Sequence, residues 1–505
     1  MSNVDESKSR KSSSKGKQKN DHDYIEKQVL EVIQIQKDPH AEIGEVLSIL
    51  KEKIQMDLDS LGVAGRVEIQ GSFVRKTYLS DDDSFDLLII LPKSEKPNVH
   101  SILDSLLKRL KKDRVKKEKI TVTKITGKIP YLRLFAANEK VHLFVGFDIS
   151  QGEEKISIFD YIPYHSQYIL THMDKKVRKD VVLLKKFTKA IGVYRDDYGA
   201  IGFNGYLCEL LILFYGSFRE TLKGICKWRA RTVIDIKKAS VKYEDVDELS
   251  VEMIYGYYPI YVPDPLYRKE NIAADVSVDQ FNSIIAAANY YLIKPSLLFF
   301  EESLYEIPPF NEIVHKIVNS KKEIIVLTIP RNFQESGVSW QKALSIRKAL
   351  EQELIKHYYM LERTKPFVSD DYYGLILSLM TPNPQLSQRK EGPEIISEES
   401  VKFLDRYAKH MDVISGPFID FGKWVVYFSK RGQPVYEFIS ALVKKNVFIL
   451  NVDSFLKLEI KEKLKVIGVD QNLQQMYETD DTFAENLFLF VVRKPLWVHT
   501  LEFEE

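Results

Sequence analysis

GSFVRKTYL, residues 71–79, decides how this chain is read, together with the strand-like stretches VEIQGSF (67–73) before it and FDLLIILP (85–92) after it. Strand side chains alternate between faces, so Ser84 and Asp86 of the sequence Ser84-Phe85-Asp86-Leu87 share one face and stand side by side. Asp81-Asp82-Asp83, just before them, reads as a solvated acidic loop.

Working outward, apolar residues at helical spacing over Tyr24–Ile35 and Ile43–Leu58, with Pro39 between them, predict two helices ahead of the first strand. Further strands are expected at KITVTKI (119–125) and KVHLFVGFDI (140–149), and a helix at SILDSLLKRLKK (101–112), so a mixed α/β unit ends near residue 160. From Val177 to about Ile236 the apolar residues run all round the helical wheel, as in buried helices. An apolar helix at Val278–Tyr291, a strand at 322–330 and another near 373–380 predict an α+β unit, and Ser397–His410 opens a fourth. No repeat occurs at solenoid periods.

Composition narrows the function class only by exclusion. In 505 residues, 73 Lys and Arg nearly balance 72 Asp and Glu, so any basic binding surface is local. The two cysteines, Cys208 and Cys226, lie in apolar stretches and supply neither a disulfide framework nor a zinc site, which fits a reducing, cytoplasmic setting. Cys208 reads as core rather than nucleophile. The apolar runs are too short to span a bilayer, and no apolar leader opens the chain. Residues 1–22 are Ser/Lys-rich, nearly devoid of large apolar side chains, and read as a disordered basic tail.

Polymerase-type nucleotidyl transfer places carboxylates at two same-face positions of one strand and a third on a neighbouring strand, which together hold two Mg²⁺ ions. A longer pattern points the same way. GSFVRKTYL is similar to the Gly-Ser-x-Ala-Arg-x-Thr-Trp-Leu stretch of archaeal-type (class I) CCA-adding tRNA nucleotidyltransferases, and the register continues. IPYH (162–165), VVLLKKFTKAIGVY (181–194), GFNGYLCELLILFYGSFRET (202–221), WRARTVIDI (228–236), ENIAADVSVDQF (270–281), PSLLFF (295–300) and GPFIDFGKWVVYF (416–428) resemble that family in order, over roughly residues 40–430.

The resemblance implies an α/β and α+β multidomain protein: a polymerase-beta-like nucleotidyltransferase head (23–165), a helical neck (166–262), an α+β body (263–395) and an α/β tail (396–505). It implies a tRNA acceptor end as partner and CTP and ATP as nucleotides. Gly71, Ser72 and Arg75 would meet the triphosphate; His165 and Lys185 would add cationic contacts, Tyr194 a stacking or hydroxyl contact, and Arg231 and Asn271 contacts to RNA.

The chain departs from the family where carboxylates are expected. The acid-hydrophobic-acid pattern is Ser84-Phe85-Asp86 here, which leaves Asp86 as the matched catalytic and metal-binding carboxylate. Aligning the family's Val-x-Val-Asp-Val-Val-Pro with VHLFVGF (141–147) puts Phe144 at the third position. Asp83, through a strand bulge, and Asp148, further along the strand, are the available substitutes. The expectation is a tRNA- or RNA-3′-end-binding protein with nucleotidyl transfer lost or reduced. The alternatives are an active CCA-adding enzyme using Mg²⁺, and a regulatory scaffold; without activity no cofactor is implied.

Overall fold

The computed structural model describes residues 21–32, 39–79, 84–125, 130–195, 202–242, 258–301, 307–331, 336–369, 371–381, 385–431, 433–495 and 497–498. The chain divides into two compact units, residues 1–306 with 494–505, and residues 307–493.

In the first unit, helix α1 (21–32) is followed by α2 (Pro39–Ser60), β1 (Arg66–Gln70) and the short α3 (Gly71–Arg75). Most of the basic tail read at 1–22 lies outside the described residues, but Asp21 and His22 already belong to α1. The first strand ends at Gln70, earlier than the run to Phe73 expected from sequence, because Gly71 takes φ +78° and turns the chain into α3. Next come β2 (Phe85–Leu91), α4 (Val99–Leu110), the small hairpin β3–β4 (Arg114–Val115, Glu118–Lys119), β5 (Thr121–Ile125), β6 (Tyr131–Ala136) and β7 (Glu139–Phe147). Their main sheet has the order β1-β2-β7-β6-β5, with β2 and β7 parallel and the other pairs antiparallel.

Alternation then sorts the side chains. Leu87, Ile89 and Leu91 of β2 and Val141, Leu143 and Val145 of β7 pack with Leu50 and Ile54 of α2 and Leu103 and Leu106 of α4. The opposite face carries Leu88, Ile90, Tyr131, Phe144 and Phe159 in a second apolar cluster. On that face Ser84, Asp86 and His142 form its polar end.

Helices α5 (Ile162–His172), α6 (Arg178–Ala190), α7 (Gly205–Tyr215) and α8 (Phe218–Ile225) follow, then a three-stranded sheet of β8 (Thr232–Asp235), β9 (Ser240–Lys242) and β10 (Ile260–Tyr261), and α9 (Val278–Ile293). Leu184, Phe187, Leu211, Phe218, Ile284 and Tyr291 share one core, which also takes Ile25 and Val29 of α1 and Trp497 near the C-terminus. Arg219 holds α1 through Asp23 and Glu26.

The second unit centres on an antiparallel sheet of order β12-β13-β11-β17, from β11 (Glu323–Pro330), β12 (Met360–Val368), β13 (Tyr372–Thr381) and β17 (Lys465–Ile467). The β11 and β13 expected from sequence are both present, and Leu327, Leu375 and Leu377 pack under Ile346, Leu350, Ile439 and Ile460. A separate antiparallel sheet, β14 (Gln385–Glu394), β16 (Lys423–Arg431) and β15 (Val413–Asp420), packs against the helix Glu399–Tyr407. The whole is a mixed α/β and α+β multidomain fold, and none of its described helices is long and apolar enough to cross a membrane.

Candidate functional site

A cavity of about 460 Å³ opens in the first unit over the polar end of the β2/β7 strand pair, a size within the roughly 300–1,000 Å³ usual for small-molecule sites. Ser72, Arg75, Ser84, Asp86, His142, His165, Lys185 and Tyr194 are among its lining residues, so five separate sequence stretches meet there.

The floor is set by the strands. Parallel pairing puts Asp86 directly beside His142 and Leu88 beside Phe144. Asp86 Oδ1 lies 3.9 Å from His142 Nδ1, with the imidazole buried and the carboxylate partly open to the cavity. Gly71 makes this arrangement feasible: a side chain there would collide with the Asp86 carboxylate.

The wall is built from α3, α5, α6 and α7. Arg75, at the end of α3, is buried and donates from Nε to Glu209 on α7 (2.9 Å) and from Nη1 to Ser166 on α5 (3.1 Å). Burial opposes its charge, but the Glu209 carboxylate outweighs burial and leaves the guanidinium pKa raised. Thr77 also donates to Glu209. Lys185, fully buried on α6, donates to the Thr77 carbonyl at 2.7 Å. His165 Nε2 lies 2.7 Å from Asp264 Oδ2 and its ring stacks on Tyr206 at 4.3 Å. Burial alone would raise the Asp264 carboxyl; the contact with His165 brings it below the ordinary carboxylate value. Asn204 caps α7 by accepting from the Leu207 amide at 2.7 Å. At Gly205 a Cβ would come within 3.1 Å of Lys185 Nζ and 3.2 Å of the Tyr194 hydroxyl, so glycine keeps this wall open.

The structure places the remaining expected residues away from the open cavity or commits them to internal contacts. Phe144 is fully buried, stacked on Phe159 at 4.3 Å, and does not line the cavity; the strand residue beside Asp86 is His142. Phe144 and His142 stand two residues apart on the same strand face, so the pairing register decides which of them meets Asp86. Asp148, the substitute on the same strand, is exposed at its far end and accepts from Arg66 at 3.3 Å, while Asp83 lies outside the described residues. Asn271 lines the cavity, yet its amide is committed to backbone, accepting from Val262 and Ala273 and donating to Ile260. Arg231, with φ +65°, is not among the lining residues. Cys208 is buried in the core, where desolvation pushes its thiol up to about 12, as befits a packing residue.

Sequence reading missed Lys155, whose ammonium pairs with Glu270 and lies 4.9 Å from the Tyr161 ring centre, and Arg195, paired with Asp275 at 2.8 Å. It also missed Tyr206, which burial and nearby carboxylates hold well above the ordinary phenol range. Among the described residues no group of three or more His, Cys, Asp or Glu side chains is placed to hold a metal ion. Among the described residues, Asp86 beside the His142 imidazole does not fit the three-carboxylate, two-Mg²⁺ arrangement.

A family model described as tRNA nucleotidyltransferase, second domain, matches residues 179–301. The CCA-adding enzyme of Saccharolobus shibatae is 30% identical over 385 residues, spanning 76% of this chain and 84% of its own length. The chain belongs to the CCA-adding enzyme family. The CCA-adding enzyme of Methanocaldococcus jannaschii is 25% identical over 391 residues, covering 77% of this chain and 83% of that one. Among solved structures, one titled for a cytoplasmic RNA terminal U-transferase aligns at a TM-score of 0.42 and 14% identity, over 57% of this chain and 100% of that one; so loose a likeness carries no argument. Family membership and the cavity coincide in place, since Lys185, Tyr194, Tyr206, Glu209 and Asp264 all fall within the matched 179–301 segment.

Proposed function

We propose that this chain binds tRNA by its 3′ end on the CCA-adding scaffold, with nucleotidyl transfer lost or strongly reduced. The observation that carries the proposal is the floor of the cavity, where Ser84 and His142 flank the single strand carboxylate Asp86. Two-metal transfer needs carboxylates to hold the ions that activate the attacking hydroxyl and clamp the triphosphate. With Ser84 and His142 in place, Mg²⁺ has among the described residues one anionic strand ligand instead of three.

In this reading the head, neck, body and tail keep the boundaries 23–165, 166–262, 263–395 and 396–505. Gly71, Ser72, Arg75, His165, Lys185 and Tyr194 shape the pocket for the terminal nucleotides, and Arg231 contacts RNA. Lys186 and Arg231 make binding electrostatic in part, so affinity for tRNA should fall as salt rises, through counterion release. Arg231→Ala should weaken tRNA binding and lower the salt slope by about 1. Undetectable binding at low salt, or an unchanged affinity in Arg231→Ala, would remove the support for RNA recognition.

A second reading, an active enzyme adding C and A from CTP and ATP with Mg²⁺, is favoured by family membership and by the retention of Asp86 against Gly71. It demands that one strand carboxylate suffice for metal-dependent transfer, or that Asp83 supply a second.

A further inference from the structure

The charges around the cavity are committed to one another. Among the described residues four Lys and Arg side chains line it, and each has an internal partner: Arg75 has Glu209, Lys155 has Glu270, Arg195 has Asp275, and Lys185 has the Thr77 carbonyl. Counting Asp86 and the His165 partner Asp264, five carboxylates stand against those four cations, so the cavity has no excess of Lys and Arg over Asp and Glu. An ion pair presents a dipole to a third group, so a cation already held by a carboxylate attracts a new anion less than a free one would, most of all at the buried Arg75–Glu209 pair. A triphosphate brings several negative charges, and the described donor set supplies no metal to neutralise them.

The cavity is better equipped for an uncharged ring system. The Tyr206 ring stacks on His165 at 4.3 Å and Tyr194 lines the same cavity, which supplies aromatic surface of the kind on which bases stack. The Tyr206 ring is partly open while its hydroxyl is buried, so the residue offers the cavity a ring face. Glycine at 205 leaves the wall beside Lys185 and the Tyr194 hydroxyl without a side chain, so a flat ring can pack close to the backbone there.

We infer that the cavity takes the terminal nucleoside of an RNA 3′ end in preference to a free nucleoside triphosphate, so that it reads a finished end instead of a substrate for addition. This rests on the RNA 3′-end reading above and specifies what fills the site. An RNA terminus presents a base and a ribose with free hydroxyls, and its phosphates are singly charged and spread along the strand.

The test uses the full chain and measures competition by equilibrium binding, with adenosine and ATP as probes, in chelator and then in Mg²⁺. Adenosine should bind at least as tightly as ATP, and Mg²⁺ should not improve ATP. Intact tRNA should bind roughly tenfold tighter than the same tRNA lacking its terminal nucleotides, a factor of the size that stacking one base on an aromatic side chain supplies. Tyr206→Leu, which removes the stacking ring, should erase a large part of that difference, whereas Tyr206→Phe, which keeps the ring, should retain it. Glu270→Gln, which frees Lys155, should tighten ATP several-fold and leave adenosine unchanged. The inference is overturned if Mg²⁺ and ATP together outcompete adenosine, if truncated tRNA binds as well as intact tRNA, or if neither adenosine nor ATP binds at millimolar concentration. If tRNA does not bind at all, the RNA reading fails, and the adenosine–ATP comparison decides the preference of the cavity by itself.

Discussion

The two ends of one sheet face behave as different materials. Toward one end of the β2/β7 pair, Leu88, Ile90 and Phe144 pack with Tyr131 and Phe159 in a dry cluster; two residues back, Ser84, Asp86 and His142 line a cavity. Period-two alternation assigns all of these to the same face, so the pattern of the strand says which side a residue is on and not whether it meets solvent or core. The boundary between the two ends is set by Phe159, stacked on Phe144, and by the helices that wall the cavity. A difference of two residues along the strand therefore separates a site residue from a core residue.

That boundary can be attacked directly. The largest effect should come from Phe144→Asp, which removes a buried ring and leaves a carboxylate among aromatic side chains. A cost of about 5 kcal/mol or more is expected, enough to unfold a marginally stable unit. If the variant melts within a few degrees of the parent, Phe144 is not the core residue described here.

Next in size is Arg75→Ala, which strands the fully buried Glu209 carboxylate. Breaking a buried pair from one side should cost about 3–5 kcal/mol. The paired change Arg75→Met with Glu209→Met should cost clearly less than Arg75→Ala, since no unpaired charge remains; equal losses would show that packing, not charge, dominates there.

A gain-of-ligand experiment sharpens the comparison from the other side. Ser84→Glu with His142→Asp places carboxylates at the two positions beside Asp86, and the double variant should be less stable than the parent in chelator. Mg²⁺ or Mn²⁺ at about 100 times its Kd should then restore about 2.7 kcal/mol. The parent should show no such shift, and each single change should show little, because ligands of one metal site act together. Absence of metal-dependent stabilisation in the double variant would mean the floor geometry does not match a two-metal site even with its carboxylates returned.

The smallest effect concerns pH. Asp264 has its folded pKa below the ordinary carboxylate value, so its contribution to stability is complete above about pH 4 and is lost as pH falls through the folded value. Asp264→Asn should flatten the acid limb of the stability curve of the first unit; a variant curve parallel to that of the parent below about pH 4 would contradict the His165–Asp264 assignment.

Much of this was legible from sequence, and the failures share a cause. Helices over 39–60, 99–110 and 278–293 and strands at 85–91 and 323–330 follow local periodicity, and the structure contains them. β6, YLRLFA, was passed over because its residues are buried on both faces for most of its length, and a short apolar run has no alternation to announce it. His142 was missed because pairing register between β2 and β7 is a tertiary quantity. The acids that hold the cavity cations were missed for the same reason: Glu209 lies 134 residues from Arg75, Glu270 115 from Lys155, and Asp264 99 from His165. Asn271, expected to contact RNA, also knits the backbone of its own loop, which only the hydrogen-bond geometry reveals.

The central claim is that a CCA-adding scaffold with Ser84 and His142 around Asp86 no longer performs ordinary nucleotidyl transfer. It is tested most directly by incubating the purified full chain with tRNA lacking its CCA end, CTP, ATP and Mg²⁺, and following the 3′ end at single-nucleotide resolution. The account predicts that no C or A is added on the timescale of an ordinary enzyme, whereas turnover on the order of 1 per second or faster, abolished by Asp86→Asn, would contradict it.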